Sequence, residues 1–136
     1  MIDIQTEPID PEEVLNRVVN PLGGAEVLFL GRVRSETDGR EVVHLDYEAY
    51  GDMAQSELED LVQQVTGAND LLGVAVSHRI GRLKVGEIAV AVAVSAEHRP
   101  EAFRACRWMI DKVKERVPIW KKECFEDGSK WVVEHP

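Results

Sequence analysis

The segment His98–Lys122, HRPEAFRACRWMIDKVKERVPIWKK, combines a predicted long helix with half of the chain's basic residues. It contains eight Lys and Arg residues against three acids, a net charge of +5, whereas the whole 136-residue chain carries a net charge of −9. A dense basic segment in an otherwise acidic protein indicates a place where an anionic ligand or partner binds.

Two prolines predict the ends of a helix in this segment. Pro100 suits the first helical position, where the missing N–H costs nothing, and Pro118 pushes the residue before it out of the helical region. Between them, apolar residues recur at helical spacing and predict one buried stripe: Ala102, Phe103, Cys106, Met109, Ile110, Val113 and Val117.

The lysines of the segment differ in their relation to this stripe. At about 100° per residue, Lys114 lies at the edge of the stripe beside Arg107, whereas Lys112 faces water on the other flank. A bend at Pro118 can turn Lys121 back toward Lys114. Crowded cations and partial burial disfavour the charged form of a lysine, which can then act as an acid, a base or a nucleophile. An amphipathic helix with a solvated basic face explains the same pattern, and the helix alone favours that explanation.

Length and composition indicate one globular domain over residues 1–136, with 44% hydrophobic and 30% charged residues. The pI near 4.9 argues against a general nucleic-acid binder, which needs a broad basic surface. Cys106 and Cys124 match neither a metal-site spacing nor a disulfide framework. We see no secretion signal and no apolar run long enough for a membrane span, so we expect a cytoplasmic protein that binds no membrane.

The segment Ala25–Arg34, AEVLFLGRVR, predicts a strand that changes character along its length. Its continuously apolar first half predicts burial on both faces, and Arg32 and Arg34 then share one face. The following Ser35–Arg40 contains Asp-Gly, a turn signal, but its length predicts a mobile loop rather than a tight hairpin.

The segment Val42–Tyr50 resumes as a strand and places Val43, Leu45 and Tyr47 on one face. His44 lies on the other face. We interpret it as a surface residue, because nothing around it in the sequence supplies a set of metal ligands.

The remaining segments complete an α+β pattern in which strands and helices are mixed. Glu87–Ser95 alternates Val with Ala, which predicts a central strand with one tight face. The other predicted elements are an edge strand Ile2–Thr6, helices from Pro11 to Val19 and Met53–Val65, a strand Gly73–Ile80, a turn Ile80–Lys84, and strands Ile119–Phe125 and Lys130–Val133.

Six short segments match one known family in order and spacing: GRVR at Gly31–Arg34, LDYEAYGDMA at Leu45–Ala54, HRIGRLKVGE at His78–Glu87, VSAEHRPEAF at Val94–Phe103, KERVPIWKKE at Lys114–Glu123 and DGSKWV at Asp127–Val132. Together they resemble the catalytic, or large, subunit of molybdopterin synthase, the MoaE family. The resemblance extends over nearly the whole chain. It implies a single α/β-hammerhead-like domain with an additional antiparallel β-sheet.

The resemblance also implies an activity. Family members are sulfurtransferases that convert cyclic pyranopterin monophosphate into molybdopterin. They add two sulfurs, which become the dithiolene of the product. The sulfur comes from the C-terminal Gly-Gly thiocarboxylate of a small ubiquitin-like partner subunit, whose tail inserts into the large subunit. The implied assembly is a homodimer of large subunits within a heterotetramer, and the scheme needs no metal and no organic cofactor.

The family's functional residues fall on matching positions in this sequence. Its two lysines correspond to Lys114 and Lys121, the candidate catalytic pair. The candidate substrate-binding residues are cations or hydrogen-bond donors suited to phosphate and thiocarboxylate groups. They are Arg34, His98 and Arg99 from the family's motifs, and Arg107 from its position beside Lys114.

Two other functions remain open from the sequence. A non-catalytic adaptor could hold a ubiquitin-like Gly-Gly tail, but one terminal carboxylate needs only one or two cations and this segment offers more. An unrelated enzyme acting on a phosphate ligand is a second alternative, although the chain has neither GxxxxGK[ST] nor GxGxxG.

Overall fold

The computed structural model describes residues 1–133, which form three helices and nine strands. In chain order they are β1 (Ile2–Gln5), α1 (Pro11–Asn16), β2 (Ala25–Arg32), β3 (Glu36–Thr37), β4 (Arg40–Ala49), α2 (Gly51–Asn69), β5 (Leu71–Arg79), β6 (Gly81–Lys84), β7 (Ile88–Ala96), α3 (Arg99–Arg116), β8 (Ile119–Phe125) and β9 (Lys130–Val133). The predicted α+β class is confirmed. Within these residues, no helix has both the length and the apolar character needed to cross a membrane.

The first sheet has the strand order β1–β5–β7–β2, with β1 parallel to β5 and the other pairs antiparallel. Helices α2 and α3 pack together over one face, and the short α1 packs on β5, β7 and β2. Strand β7 is central, as its sequence predicted. Its valines belong to the large core under α3, whereas Ala91 and Ala93 pack with Val14 of α1. The alanines therefore provide the tight face that lets a helix of six residues approach the sheet.

The second sheet has the order β3–β4–β8–β9, and β6 also pairs with β4. Strand β4 pairs with β8 antiparallel, so that Tyr47 lies opposite Lys121 and Leu45 lies opposite Glu123. Helix α3 leads directly into β8 and thereby connects the two sheets at the place where the basic segment lies.

The prediction that the first half of β2 is buried on both faces is wrong. Strand β2 pairs only with β7 within the described chain, so it forms an edge of the first sheet. Its apolar residues Val27–Leu30 are half-buried as a result. Strand pairing is a long-range property, and a run of apolar residues cannot distinguish a central strand from an edge strand.

The expected long loop at Ser35–Arg40 is instead a tight hairpin. Thr37 pairs with Arg40, so the turn contains only two residues. These are Asp38 and Gly39, with φ values of 51° and 77°. Two consecutive left-handed residues form the type of turn that Asp-Gly favours, because its twist matches that of paired strands.

Two further local predictions fail for a similar reason. A register shift between Val42 and His44 places Val43 in solvent rather than on the face of Leu45 and Tyr47. The predicted turn after Ile80 contains a strand, β6, whose residues pair with β4. Both outcomes depend on neighbouring strands and not on the local sequence.

Candidate functional site

A cavity of about 230 Å³ opens where the end of α3 meets both sheets. Lys114 projects from the last turns of α3, Lys121 from β8, and Arg34 from the segment after β2. Apolar residues of both sheets and α3 form much of the remaining wall. The lining consists of Phe29, Gly31, Arg32, Arg34, Leu45, Tyr47, His78, Ala89, Val90, Ile110, Val113, Lys114 and Lys121.

The bend at Pro118 brings the two lysines to the same cavity. Helix α3 stops at Arg116, and Val117 is extended with φ −78° and ψ 128°. Val117 and Ile119 are completely buried on either side of the proline, which fixes the direction of β8. Lys114 and Lys121 therefore line one cavity, the arrangement that the helix periodicity and the proline predicted.

The charges around the cavity are only partly neutralised. The Nζ of Lys121 lies 3.4 Å from an Oε1 of Glu123, whose side chain is 4% exposed. The other carboxylate oxygen of Glu123 has no hydrogen-bond partner among the described residues. Lys114 and Arg34 form no ion pair within residues 1–133, so their charges are available to a ligand.

Tyr47 and His78 form the neutral part of the cavity wall. Their rings meet edge to face with centroids 5.2 Å apart. Burial, assisted by the negative charge of Glu123, raises the pKa of Tyr47 to about 12. Burial lowers the pKa of His78 to about 4, against the opposing effect of its hydrogen bond to the carbonyl of Arg79. Both groups are therefore uncharged at neutral pH.

The hydrogen bond of His78 fixes its tautomer. Its Nδ1 lies 2.7 Å from the carbonyl oxygen of Arg79. A carbonyl can only accept, so Nδ1 carries the proton and Nε2 of the neutral ring is an acceptor. Sequence reasoning missed His78, Tyr47 and Glu123 as parts of the site, although all three lie within the motifs that carry the family resemblance.

Three predicted substrate-binding residues lie outside this cavity in a single chain. His98 and Arg99 lie at the start of α3, about 22 Å along the helix axis from Lys114. His98 borders a different depression, together with the acids Glu97 and Glu101. Within one chain, His98 and Arg99 therefore do not reach the cavity of Lys114, because a straight helix separates its two ends. Their role in substrate binding stays a prediction.

Arg107 also lies away from the cavity. Its side chain is 86% exposed, and its Nε is 3.8 Å from Asp111 one turn further along α3. Arg107 precedes Lys114 by two turns, so the same face of the helix carries both, but only Lys114 reaches the cavity.

One group of potential metal ligands occurs within the described chain: His44, Asp46 and Cys124. The sequence around His44 supplies no ligand set, whereas strand pairing brings Cys124 beside it from a distant part of the chain. The group lies on the face of β4 and β8 opposite to Tyr47 and Lys121.

The fold and the cavity together define a small α+β protein with a cationic pocket suited to an anionic ligand. Comparison with known proteins is more specific. The MoaE protein family matches residues 4–116. The molybdopterin synthase catalytic subunit of Halalkalibacterium halodurans is 43% identical over 129 residues, which cover 95% of this chain and 83% of that protein. The chain belongs to the MoaE family.

Solved structures agree with this assignment. The crystal structure of molybdopterin synthase from Staphylococcus aureus matches with a TM-score of 0.91 and 39% identity, covering 98% of this chain and 96% of that one. A complex of subunits 1 and 2 of molybdopterin-converting factor from Helicobacter pylori matches with a TM-score of 0.80 and 19% identity, covering 99% and 93%. The hammerhead-like fold expected from the resemblance is confirmed.

Proposed function

We propose that this chain is the catalytic subunit of a molybdopterin synthase. It transfers sulfur from the C-terminal thiocarboxylate of a small ubiquitin-like carrier to cyclic pyranopterin monophosphate. The observation that carries this proposal is the shared cavity of Lys114, Lys121 and Arg34. Both reactants are anionic, and Lys114 and Arg34, which have no ion-pair partner among residues 1–133, suit a pocket that must hold both reactants together.

The reaction that we propose has two bond-forming steps for each sulfur. The thiocarboxylate sulfur attacks an oxygen-bearing side-chain carbon of the pterin, where the carbon–oxygen bond breaks and the oxygen leaves with a proton, and an acyl–sulfur link to the carrier forms. Water then attacks the acyl carbon, which releases a carboxylate on the carrier and leaves the sulfur on the pterin. A second carrier repeats these steps and completes the dithiolene.

The cavity residues have roles that follow from charge and position. We assign Lys121 to the oxyanion that forms at the acyl carbon, because a fixed ammonium stabilises developing negative charge. Lys114 is assigned to proton transfer beside the pterin, and Arg34 to the phosphate, which its planar guanidinium can bind with two hydrogen bonds. The roles of the two lysines can be exchanged, because their proximity does not determine which one faces the pterin and which one faces the acyl carbon of the carrier. The scheme uses neither a metal nor an organic cofactor.

His98 and Arg99 fit this function if a second copy supplies them. One chain places them too far from Lys114 to contact the same ligand, and the expected assembly is a homodimer with one small carrier at each end. Strand β2, an open sheet edge with half-buried apolar residues, offers a surface for such pairing. The two-subunit complex known for the Helicobacter pylori protein supports the small carrier as partner.

A kinetic experiment tests the lysines. Lys114→Ala and Lys121→Ala should each slow product formation from thiocarboxylated carrier by about 100-fold or more. Matched controls are Lys112→Ala, on the same helix but paired with Glu115, and Lys122→Ala, on the opposite face of β8. Wild-type rates in both cavity variants would refute the proposal. Normal carrier binding combined with no product from the wild-type chain would favour the adaptor function.

A mixed-dimer experiment tests the second copy. Lys114→Ala and Arg99→Ala chains are each expected to be inactive alone. If the site combines residues from two chains, co-refolded mixtures should regain about a quarter of wild-type activity, because half of the dimers are mixed and each has one intact site. Mixtures that stay inactive would refute a site that combines Arg99 of one chain with Lys114 of the other.

We also propose that the protein acts in the cytoplasm. Cys106 and Cys124 are both free thiols, which fits a reducing compartment. Cell fractionation with an antibody to the chain tests this location, and recovery in a membrane or secreted fraction would contradict it.

A further inference from the structure

The outer face of the second sheet carries three different metal-ligand types at one point. His44 on β4 lies directly opposite Cys124 on β8, and Asp46 follows two residues after His44 on the same face. One imidazole nitrogen, one carboxylate oxygen and one sulfur all lie within 4.8 Å of one another. Nothing in the sulfur-transfer scheme uses these residues.

The separations between these atoms are close to those of a tetrahedral zinc site. Bond lengths of about 2.0–2.3 Å to nitrogen, oxygen and sulfur place tetrahedral ligand atoms about 3.4–3.6 Å apart. The Nε2 of His44 is 3.5 Å from an Oδ2 of Asp46. The Sγ of Cys124 is 4.0 Å from the same oxygen. No separation among the three atoms exceeds 4.8 Å, so each must shorten by little more than about 1 Å to fit one ion.

The surroundings orient the ligands, and among the described residues the contacts of the three coordinating atoms are with one another. Arg82 donates from Nε to the Oδ1 of Asp46 at 3.0 Å, so Oδ2 is directed toward His44 and Cys124. Ligating carboxylates in metal sites are commonly held in this way by a second hydrogen bond. The Nε2 of His44 is buried and has no hydrogen-bond partner among the described residues. A buried, unsatisfied imidazole nitrogen is costly unless it binds something.

An entry path is present beside the cluster. A groove of about 480 Å³ is bordered by Asp46, Arg82 and Lys122. The side chains of His44 and Asp46 are 20% and 26% exposed, so the cluster is neither sealed in the core nor freely solvated.

We propose that Nε2 of His44, Oδ2 of Asp46 and Sγ of Cys124 bind one divalent ion of the zinc class, with water in the fourth position. Binding replaces the thiol proton of Cys124, which is released to solvent, and the thiolate and carboxylate balance the two charges of the ion. The nearby cations Arg82, Lys122 and Lys84 lower the affinity, so binding is weaker than in closed sites with four protein ligands. The ion joins β4 to β8 on the face opposite to Lys121.

Cobalt(II) is the probe for the experiment, because a cobalt–thiolate bond produces a near-ultraviolet charge-transfer band and tetrahedral cobalt absorbs in the visible. Protein freed of metal with a chelator and kept under reductant is titrated with Co²⁺. We expect one equivalent to bind with both signals, and Zn²⁺ to remove them by displacement. Zn²⁺ should also raise the melting temperature by several degrees.

Variants assign the ligands. Cys124→Ser should abolish the charge-transfer band, and His44→Ala should weaken Co²⁺ binding at least 10-fold. The matched control is Cys106→Ser, since Cys106 is the other thiol of the chain, is buried in the core and belongs to no group of potential metal ligands among the described residues. A band that persists in Cys124→Ser, or no saturable binding of Co²⁺ by the wild-type protein, would overturn the proposal.

Discussion

Replacement of Lys121 by alanine should destabilise the protein as well as slow the reaction. Lys121 is the ion-pair partner of Glu123, at 3.4 Å, and the Glu123 side chain is only 4% exposed. Without the lysine, the carboxylate is left in the interior with no ion-pair partner among residues 1–133 and with one oxygen already unsatisfied by them. Lys114 has no such partner within the described chain, so its removal leaves no buried charge behind.

The expected cost follows from the geometry of the pair. Opposite charges about 4 Å apart attract by about 4 kcal/mol at an effective dielectric constant of 20. Breaking a buried pair by removing one member typically costs about 3–5 kcal/mol, because the other charge stays buried. Since the Lys121 side chain is itself 20% exposed, we take the lower end, about 3 kcal/mol. For a domain of this size, that corresponds to a fall in melting temperature of about 12 °C.

The assay is thermal and urea unfolding at pH 7, followed by circular dichroism. Lys121→Ala should show the full loss, whereas Lys114→Ala and Lys122→Ala should remain within about 0.5 kcal/mol of wild type. The double variant Lys121→Ala with Glu123→Gln should recover much of the loss, because the buried charge is gone. A Lys121→Ala protein that melts within about 2 °C of wild type would refute the account of Glu123 as a buried, lysine-dependent charge.

Three further predictions concern the same framework. The pKa of Tyr47 is raised from 10 to about 12, so the folded state holds the phenol proton more tightly than the unfolded chain does. The free energy of unfolding should therefore fall by about 3 kcal/mol as pH rises from 10 to 12. In Tyr47→Phe, the midpoint of urea unfolding should change less across this pH range than it does in the wild type. The pKa of His78 is lowered from 6.5 to about 4, so the unfolded chain binds the imidazole proton at a higher pH than the folded protein does. The free energy of unfolding should therefore fall by about 3 kcal/mol as pH drops from 6.5 to 4. In His78→Gln, the same urea measurement should not show this loss. A Cβ on Gly24 would lie 2.3 Å from the backbone oxygen of Glu97, so Gly24→Ala should destabilise by more than about 2 kcal/mol. Gly67→Ala, in open space within α2, should stabilise by about 0.5–1 kcal/mol, and calorimetry that ranks these two glycine variants in the opposite order would contradict the packing.

The parts of the fold that the sequence predicts correctly are those set by local chemistry. Pro100 and Pro118 bracket α3 to within a residue or two, because proline restricts its own backbone and that of the residue before it. The Val/Ala alternation predicts a central β7 with one tight face. The pairing of strands that are distant in sequence cannot be predicted from a short segment. For this reason, β6 was expected as a turn and the first half of β2 as buried on both faces.

The same distinction between local chemistry and long-range pairing applies to the residues of the candidate site. The sequence identifies Lys114 and Lys121 as a pair because both lie within one stretch of eight residues. Helix periodicity predicts the direction of Lys114, and the bend at the intervening proline turns Lys121 back toward it. The contribution of Tyr47, His78 and Glu123 depends on burial that only the assembled sheets provide. Adjacent sequence motifs do not establish proximity within one chain, since His98–Arg99 and Lys114 lie in neighbouring motifs but at opposite ends of one helix.

The strand pair β4–β8 shows why register matters more than composition here. Residues facing the cavity, Tyr47 and Lys121, alternate with residues of the metal-ligand cluster, Asp46 and Cys124, along the same two strands. Because side chains alternate with a period of two, a slip of one residue in either strand would exchange the two sets of groups. The start of β8 directly after Pro118 and the bulge after Val42 within β4 both oppose such a slip, since each fixes the register of its strand. The chain can therefore carry a cationic cavity and a cluster of potential metal ligands on opposite faces of one pair of strands, separated only by the thickness of the sheet.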